Sequence, residues 1–245
     1  MKSEQLVRST PDNKKNWVIA MARRYARWKL RRGLDGVFVQ QIERVQSLAR
    51  NTPLIFAANH VSFWDPIMLV RLDELLGGDG YVLMDRVNLA RLPFMGYLGA
   101  LPISRNDPEA VEQELRGAAE MLTRPGRALW IFPQGQHRPH HLRPLQIRPG
   151  VQRLVQLAQV PVIPVSFAYH FHHAPQPQVS IRFGQPIPAS DPALRETLAM
   201  RLSEDLTLLD EQYGNAHRVG SPLVPTLNRS PENGIGARLL GGRNA

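Results

Sequence analysis

The chain has 245 residues and 43% apolar content, which is enough to fill one large core and argues against a disordered chain. It contains no cysteine, which excludes a disulfide scaffold, a Cys-ligated zinc site and a cysteine nucleophile. The net charge of +9 sits at one end: residues 1–50 hold twelve Lys or Arg against Glu4, Asp12, Asp35 and Glu43, whereas the remaining 195 residues hold 18 Arg against 17 acids. Such a distribution points to a basic docking element rather than to a uniformly cationic surface.

Lys, Arg and Asp recur through the first 35 residues, so no signal-peptide h-region is expected there. No run reaches the ~18 apolar residues that read as a membrane span. The expected place is therefore the cytoplasm, either in solution or on the cytoplasmic face of a membrane. Residues 12–33 read as a helix, because Trp17, Met21, Tyr25 and Trp28 recur at near-helical spacing with Lys14, Lys15, Arg23, Arg24, Arg27, Lys29, Arg31 and Arg32 around them. Trp and Tyr on a basic amphipathic helix suit the headgroup layer of an anionic membrane. Two other readings stand beside this one: a stripe packed on the domain, and aromatics stacked on bases. The rest of the chain shows no matching basic and aromatic pattern, so no nucleic-acid partner is expected.

From residue 37 to 213, short apolar runs alternate with helical patterns. Strands are predicted at Leu54–Ala58, Tyr81–Met84, Pro102–Ser104, Ala128–Phe132, Val162–Tyr169 and Val179–Phe183. Helices are predicted at Pro66–Leu76, Pro108–Leu122, Gly150–Ala158 and Pro192–Tyr213. Three of them follow an Asp-Pro pair (Asp65-Pro66, Asp107-Pro108, Asp191-Pro192), a start signal that joins a strong N-cap to a residue at ease in the first turn. The fold class is accordingly α/β, a single mixed sheet flanked by helices and preceded by the basic helix. The domain plan is a docking helix over 1–36, a main domain over 37–213, and a Gly-, Pro-, Ser- and Asn-rich mobile tail over 214–245.

Four segments carry possible chemistry. Asn59-His60-Val61-Ser62-Phe63-Trp64-Asp65 follows a predicted strand, so a loop histidine can meet the carboxylate five residues on. That pair would make a general base with an orienting acid; His60 as an ordinary loop histidine and Asp65 as a plain N-cap is the other reading. Phe132-Pro133-Gln134-Gly135-Gln136-His137-Arg138 also follows a strand, in a turn whose backbone N–H groups and basic side chains suit an anion. Gly99 to Arg105 ends in an arginine able to grip phosphate. Val160-Pro161-Val162-Ile163-Pro164 is a Pro-bracketed apolar strand that reads as core.

Taken together and in this order, the four segments resemble the glycerophospholipid acyltransferases, the PlsC-type superfamily of 1-acyl-glycerol-3-phosphate acyltransferases. Its His-x4-Asp block is matched by His60 and Asp65 with Asn59, Ser62, Trp64 and Pro66 around them. Its Gly-to-Arg block is matched by Gly99 and Arg105, its Phe-Pro-Glu-Gly block by Phe132, Pro133 and Gly135, and its Val-Pro-x-x-Pro block by Val160, Pro161 and Pro164. The resemblance implies that His60 takes the proton of an acceptor hydroxyl as it attacks a thioester, with Asp65 orienting the imidazole. It implies substrate contacts from Asn59, Ser62, Arg105, Pro133, Gln134, Gly135, His137 and Arg138. It also implies membrane lipids as partners and acyl-CoA or acyl-carrier protein as co-substrate, with no bound cofactor. The chain departs from the family at Gln134, where a Glu is usual, and at Gln136-His137, where Thr-Arg is usual. These departures bear on the acceptor, leaving a lysophospholipid or a non-phosphate glycolipid open, and a non-catalytic membrane-binding module is the rival outside the enzyme class.

No Asp or Glu occurs between Glu120 and Asp191, a stretch with Arg124, Arg127, Arg138, Arg143, Arg148, Arg153 and Arg182. It reads as a positive wall for phosphate groups, or as scattered solvated arginines. His137, His140, His141, His170, His172 and His173 fall in the same stretch. With no acid beside them in sequence they read as loop histidines, and no metal site is expected.

Overall fold

The computed structural model describes residues 13–171, 175–214 and 221–224. The first half contains α1 (Asn16–Gly33), β1 (Gly36–Gln40), α2 (Ile42–Asn51), β2 (Leu54–Ala58), α3 (Trp64–Leu76), β3 (Asp79–Asp85), α4 (Arg86–Arg91) and β4 (Ala100–Ile103). The second contains α5 (Pro108–Met121), β5 (Arg127–Ile131), α6 (Gly150–Ala158), β6 (Val162–His170), β7 (Gln178–Phe183), α7 (Leu194–Gly214) and β8 (Ser221–Val224). The strands form one sheet in the order β4-β3-β5-β2-β6-β7-β1-β8. The run from β4 to β6 is parallel, β7 lies antiparallel to β6, and β8 lies antiparallel to β1. The expected single mixed sheet between helices is what the chain forms.

Its central strands are buried on both faces, which is why they read as continuous apolar runs rather than as alternating patterns. Leu54, Phe56 and Ala58 of β2 point into the cluster beneath α1, α2 and α3. Ile55 and Ala57 point the other way, into the cluster beneath α5, α6 and α7. Trp130 of β5 stacks on Phe56 of β2 at 4.4 Å and meets the edge of Phe183 of β7, joining three strands on one face of the sheet.

Several boundaries differ from the sequence reading. β1 and α2 were not predicted, although Ile42, Val45 and Ala49 form a buried helical stripe; Gln41 before α2 is in the left-handed region (φ 63°) and gives no side-chain cap. α3 begins at Trp64, two residues before Pro66. Asp65 therefore lies inside the first turn and turns its carboxylate back on the preceding loop instead of capping the helix. Asp107 does cap α5, accepting from Ala110 N at 3.0 Å. α7 starts at Leu194, with Asp191 accepting from Ala193 N at 2.8 Å in a short turn before it. β4 starts two residues before the predicted Pro102–Ser104 and ends one residue before it. Within the stretch read as a mobile tail, Ser221–Val224 add β8 to the sheet edge, and the rest of that stretch after Gly214 lies outside the described residues.

α1 buries Ala26 and Leu30 against the domain. Gly33 permits the contact with α3, because a Cβ there would sit 2.0 Å from the Trp64 ring. Arg27 reaches Glu74 at 2.6 Å, and Lys14 reaches Asp79 and the Gly80 carbonyl, both at 2.6 Å. The aromatic stripe faces outward: Trp17 is 66% exposed, Met21 63%, Tyr25 50% and Trp28 48%. No helix among the described residues is long and apolar enough to cross a membrane.

Candidate active site

The motif residues converge because each follows the carboxyl end of a parallel strand, where successive loops of an α/β sheet open onto one side. His60 follows β2, the turn from Phe132 to Arg138 follows β5, Tyr169 lies near the end of β6, and Arg105 follows β4.

Asn59 fixes the exit of β2. Its amide donates to the Phe167 carbonyl at 2.9 Å and accepts from Phe167 N at 2.7 Å, so a side chain extends the ladder with β6 one step beyond the strand. The loop then folds onto Asp65, which is fully buried. Asp65 Oδ2 accepts from His60 Nδ1 at 2.7 Å, Val61 N at 2.7 Å and Ser62 N at 2.9 Å, while Oδ1 accepts from the Tyr169 hydroxyl at 2.5 Å. Because the carboxylate only accepts, His60 carries its proton on Nδ1 and keeps the Nε2 lone pair free. Burial, the nearby Asp65 charge and the hydrogen bond to it together push the Tyr169 hydroxyl well above its usual range, so it remains a donor.

The imidazole stacks on Phe132 with ring centroids 4.0 Å apart and meets the His137 ring at 3.8 Å. Burial and the neighbouring His60 lower the His137 pKa below the ordinary imidazole value, with the Asp65 charge acting in the opposite sense. This shift favours the neutral form of the His137 ring. Gln134 is buried, and its Oε1 accepts from the His60 backbone N–H at 3.0 Å; Arg138 N donates to the His60 carbonyl at 2.7 Å. His60 is thus gripped through its own backbone from the β5 turn.

Gly135 shapes that turn at φ +68°, with its N–H donating to Phe132 O at 2.9 Å. A Cβ at Gly135 would strike the Arg148 guanidinium at 2.6 Å, so the glycine makes room for an arginine. Pro133 accepts from Arg148 N at 2.9 Å, which ties the two ends of the loop together.

His60 opens onto a cleft of about 1480 Å³. One wall is apolar, with Ile103, Val111, Leu115, Val151 and Leu154; His137, Gly135, Arg105 and Arg148 line the same cleft. α1 forms another side through Ile19, Ala20 and Arg23. Asp73 sits on this side, and burial raises its pKa to about 6 against the opposing charges of Lys14 and Arg23.

Residues 36–168, from the start of β1 almost to the end of β6, match the family model Acyltransferase. The chain belongs to the acyltransferase family. Among curated relatives, it is 30% identical to the 1-acyl-sn-glycerol-3-phosphate acyltransferase of Saccharomyces cerevisiae over 142 residues, covering 56% of this chain and 44% of that protein. It is 26% identical to the chloroplastic 1-acyl-sn-glycerol-3-phosphate acyltransferase BAT2 of Brassica napus over 133 residues, covering 52% and 36%. The chain thus spans less than half the length of these relatives. The crystal structure of the 1-acyl-sn-glycerophosphate acyltransferase PlsC from Thermotoga maritima has the same fold, with a TM-score of 0.57, 18% identity, and coverage of 79% of this chain and 78% of that one.

Against that family pattern, the residues predicted from sequence divide into two groups. His60, Pro133, Gly135, His137 and Arg105 line the cleft, while Asp65 and the Arg138 N–H bond to His60 itself. Asn59, Ser62 and Gln134 serve the frame beneath it: Asn59 and Gln134 through the bonds described, and Ser62 through its N–H to Asp65 and its Oγ, which accepts from Trp64 N at 3.3 Å. The Glu-to-Gln departure at position 134 therefore falls on a contact that an amide oxygen makes as well as a carboxylate oxygen. Gln134→Glu is expected to keep acyl transfer within a few-fold. Gln134→Ala leaves the part-buried His60 N–H without its acceptor, a loss of about 1–3 kcal/mol. It is expected to lower kcat and melting temperature together, and steady-state kinetics beside thermal unfolding would check both.

One residue of the site escaped the sequence reading. Tyr169 stands 104 residues from Asp65 and has no local signal; only the pairing of β2 with β6 brings it close. The positive wall resolves unequally. Arg124, Arg127 and Arg148 line the cleft, with Arg127 also 3.4 Å from Asp79, whereas Arg153 pairs with Glu112 and Arg182 with Asp205. Arg105 is pinned by Asp85, which also caps α4 through its other oxygen.

Proposed function

We propose that the protein transfers a fatty acyl group from acyl-CoA or acyl-carrier protein to the free hydroxyl of a lysophospholipid, 1-acyl-glycerol-3-phosphate first, on the cytoplasmic face of a membrane. The observation that carries this reading is the His60–Asp65 pair, oriented with a free Nε2 towards a cleft that has an apolar wall and arginines beside it. Nε2 accepts the proton of the acceptor O–H as the oxygen attacks the thioester carbonyl. The C–S bond breaks as the new C–O bond completes the ester, and the imidazolium returns its proton to the leaving thiolate. No acyl-enzyme is needed, which agrees with the absence of cysteine. The 1-acyl-sn-glycerol-3-phosphate acyltransferases of yeast and Brassica napus support the choice of acceptor. Arg148 supports it too, since among the described residues no acid pairs with its guanidinium at the Gly135 turn.

α1 supports the membrane surface. Its exposed Trp17, Met21, Tyr25 and Trp28 lie beside basic side chains, and Phe63, Phe94 and Tyr97 are also exposed, at 72%, 50% and 45%. Aromatic and basic groups combined in this way suit an anionic interface. The test is transfer on mixed vesicles, offering acyl-CoA and acyl-carrier protein against lysophosphatidate, other lysophospholipids and glycolipids, with products followed by mass. Product from lysophosphatidate in preference to glycolipids is expected. Preference for a glycolipid would overturn the acceptor, and no transfer to any acceptor by vesicle-bound protein would leave a non-catalytic binding module.

A further inference from the structure

We propose that His140, His170 and Asp210 form a transition-metal site, for zinc first, that clasps the end of α7 to the loop carrying the catalytic turn. Sequence order hides this site, because the histidines have no acid beside them and the carboxylate arrives from a helix 70 residues further on than His140. His140 lies in the long loop after β5, His170 is the last residue of β6, and Asp210 is in the last two turns of α7.

Both imidazoles present Nε2 to the same carboxylate oxygen, His170 at 2.8 Å and His140 at 3.2 Å from Asp210 Oδ1. The three donor atoms all lie within 4.8 Å of one another. Zinc at about 2.0–2.2 Å from nitrogen and oxygen ligands in a tetrahedral site separates its ligands by about 3.3–3.6 Å. The two nitrogen–oxygen distances therefore need to open by less than about 1 Å. The ligand set suits the metal, since neutral imidazole and carboxylate are borderline donors that zinc takes readily. Two imidazoles and one carboxylate also leave a fourth position open to water.

The rings are held rather than loose. His140 and His170 side chains are 13% and 11% exposed. His170 stacks on Tyr213 with centroids 4.0 Å apart and planes at 10°, and the Tyr213 hydroxyl donates to Phe171 O at 2.6 Å. His140 meets His170 edge-on at 5.1 Å. Such packing reduces the ordering cost of binding an ion.

The position gives the site a consequence for the enzyme. His140 is two residues from Arg138, whose N–H holds the His60 carbonyl, and three from His137, which packs on the imidazole. A metal joining His140 to β6 and α7 would fix this loop at its far end, while the Arg148–Pro133 bond holds the near one.

The experiment uses tag-free, chelator-treated full chain, titrated with Zn²⁺ in competition with a chromogenic chelator, with Mg²⁺ as the control ion. One equivalent of Zn²⁺ is expected to bind and to raise the melting temperature, with no effect of Mg²⁺. His140→Gln and Asp210→Asn are each expected to weaken binding at least tenfold while keeping the far-ultraviolet circular dichroism of the wild type. Absence of stoichiometric uptake by the wild type would overturn the site and leave a hydrogen-bonded cluster. Unchanged affinity in both variants would overturn it as well, assigning the ion to other histidines. Should a variant fold poorly, the zinc-dependent shift in the wild-type melting temperature decides alone.

Discussion

His60→Ala is expected to lower kcat for acyl transfer by about 10²–10⁴, the ordinary contribution of a positioned general base. The expectation rests on the tautomer: with Nδ1–H committed to Asp65 at 2.7 Å, Nε2 is the free nitrogen facing the cleft. Alanine removes that lone pair and leaves most of the frame in place, because Gln134 and Arg138 hold residue 60 through its backbone. The ring, 17% exposed, contributes stacking on Phe132, so a stability loss of about 1 kcal/mol is expected, typical of a modest packing change. KM for donor and acceptor is expected to change little, since the lost interaction acts in the transition state. Activity of the variant is expected to climb with rising pH as the acceptor alkoxide becomes more available. A kcat within tenfold of wild type, with KM unchanged, would show that another group takes the proton.

Much of this arrangement could be read in the sequence, and the reasons are local. The parallel strands announced themselves because burial on both faces turns β2 and β6 into unbroken apolar runs. His60 and Asp65 were legible because five residues suffice to close the contact within one loop. β1 escaped because its apolar run is only Val37–Val39, bounded by Gly36 and Gln40, and α2 because its entry at Gln41 uses a left-handed backbone in place of a capping side chain. The bonds of Ser62 and Gln134 to the loop backbone were out of reach for a different reason. A motif shows which side chains accompany a base, but not whether they face the substrate or the backbone under it. Contacts made through sheet order lie further out of reach: Tyr169 to Asp65 and Asp210 to His170 both depend on which strands and helices become neighbours.

The buried carboxylate provides the second large effect and a contrast that separates charge from packing. Asp65→Asn can preserve the hydrogen-bond pattern, with the amide oxygen facing His60 Nδ1–H, Val61 N–H and Ser62 N–H, and the amide N–H₂ facing the Tyr169 oxygen. What it removes is the negative charge that stabilises the imidazolium as the proton arrives. A fall in kcat of about 10²–10⁴ is therefore expected with only a small change in melting temperature. Tyr169→Phe does the reverse. It leaves Asp65 charged and bonded to His60 but strips Oδ1 of its donor, an unsatisfied buried acceptor that costs about 1–3 kcal/mol. Its expected signature is a clear drop in melting temperature with kcat reduced by about tenfold, and a double mutant that shows strong coupling. If Asp65→Asn instead lost stability while its folded fraction kept wild-type kcat, Asp65 would be a scaffold for the loop and not the partner of the base. The buried position alone is compatible with either role; the separation of kcat from melting temperature is what decides between them.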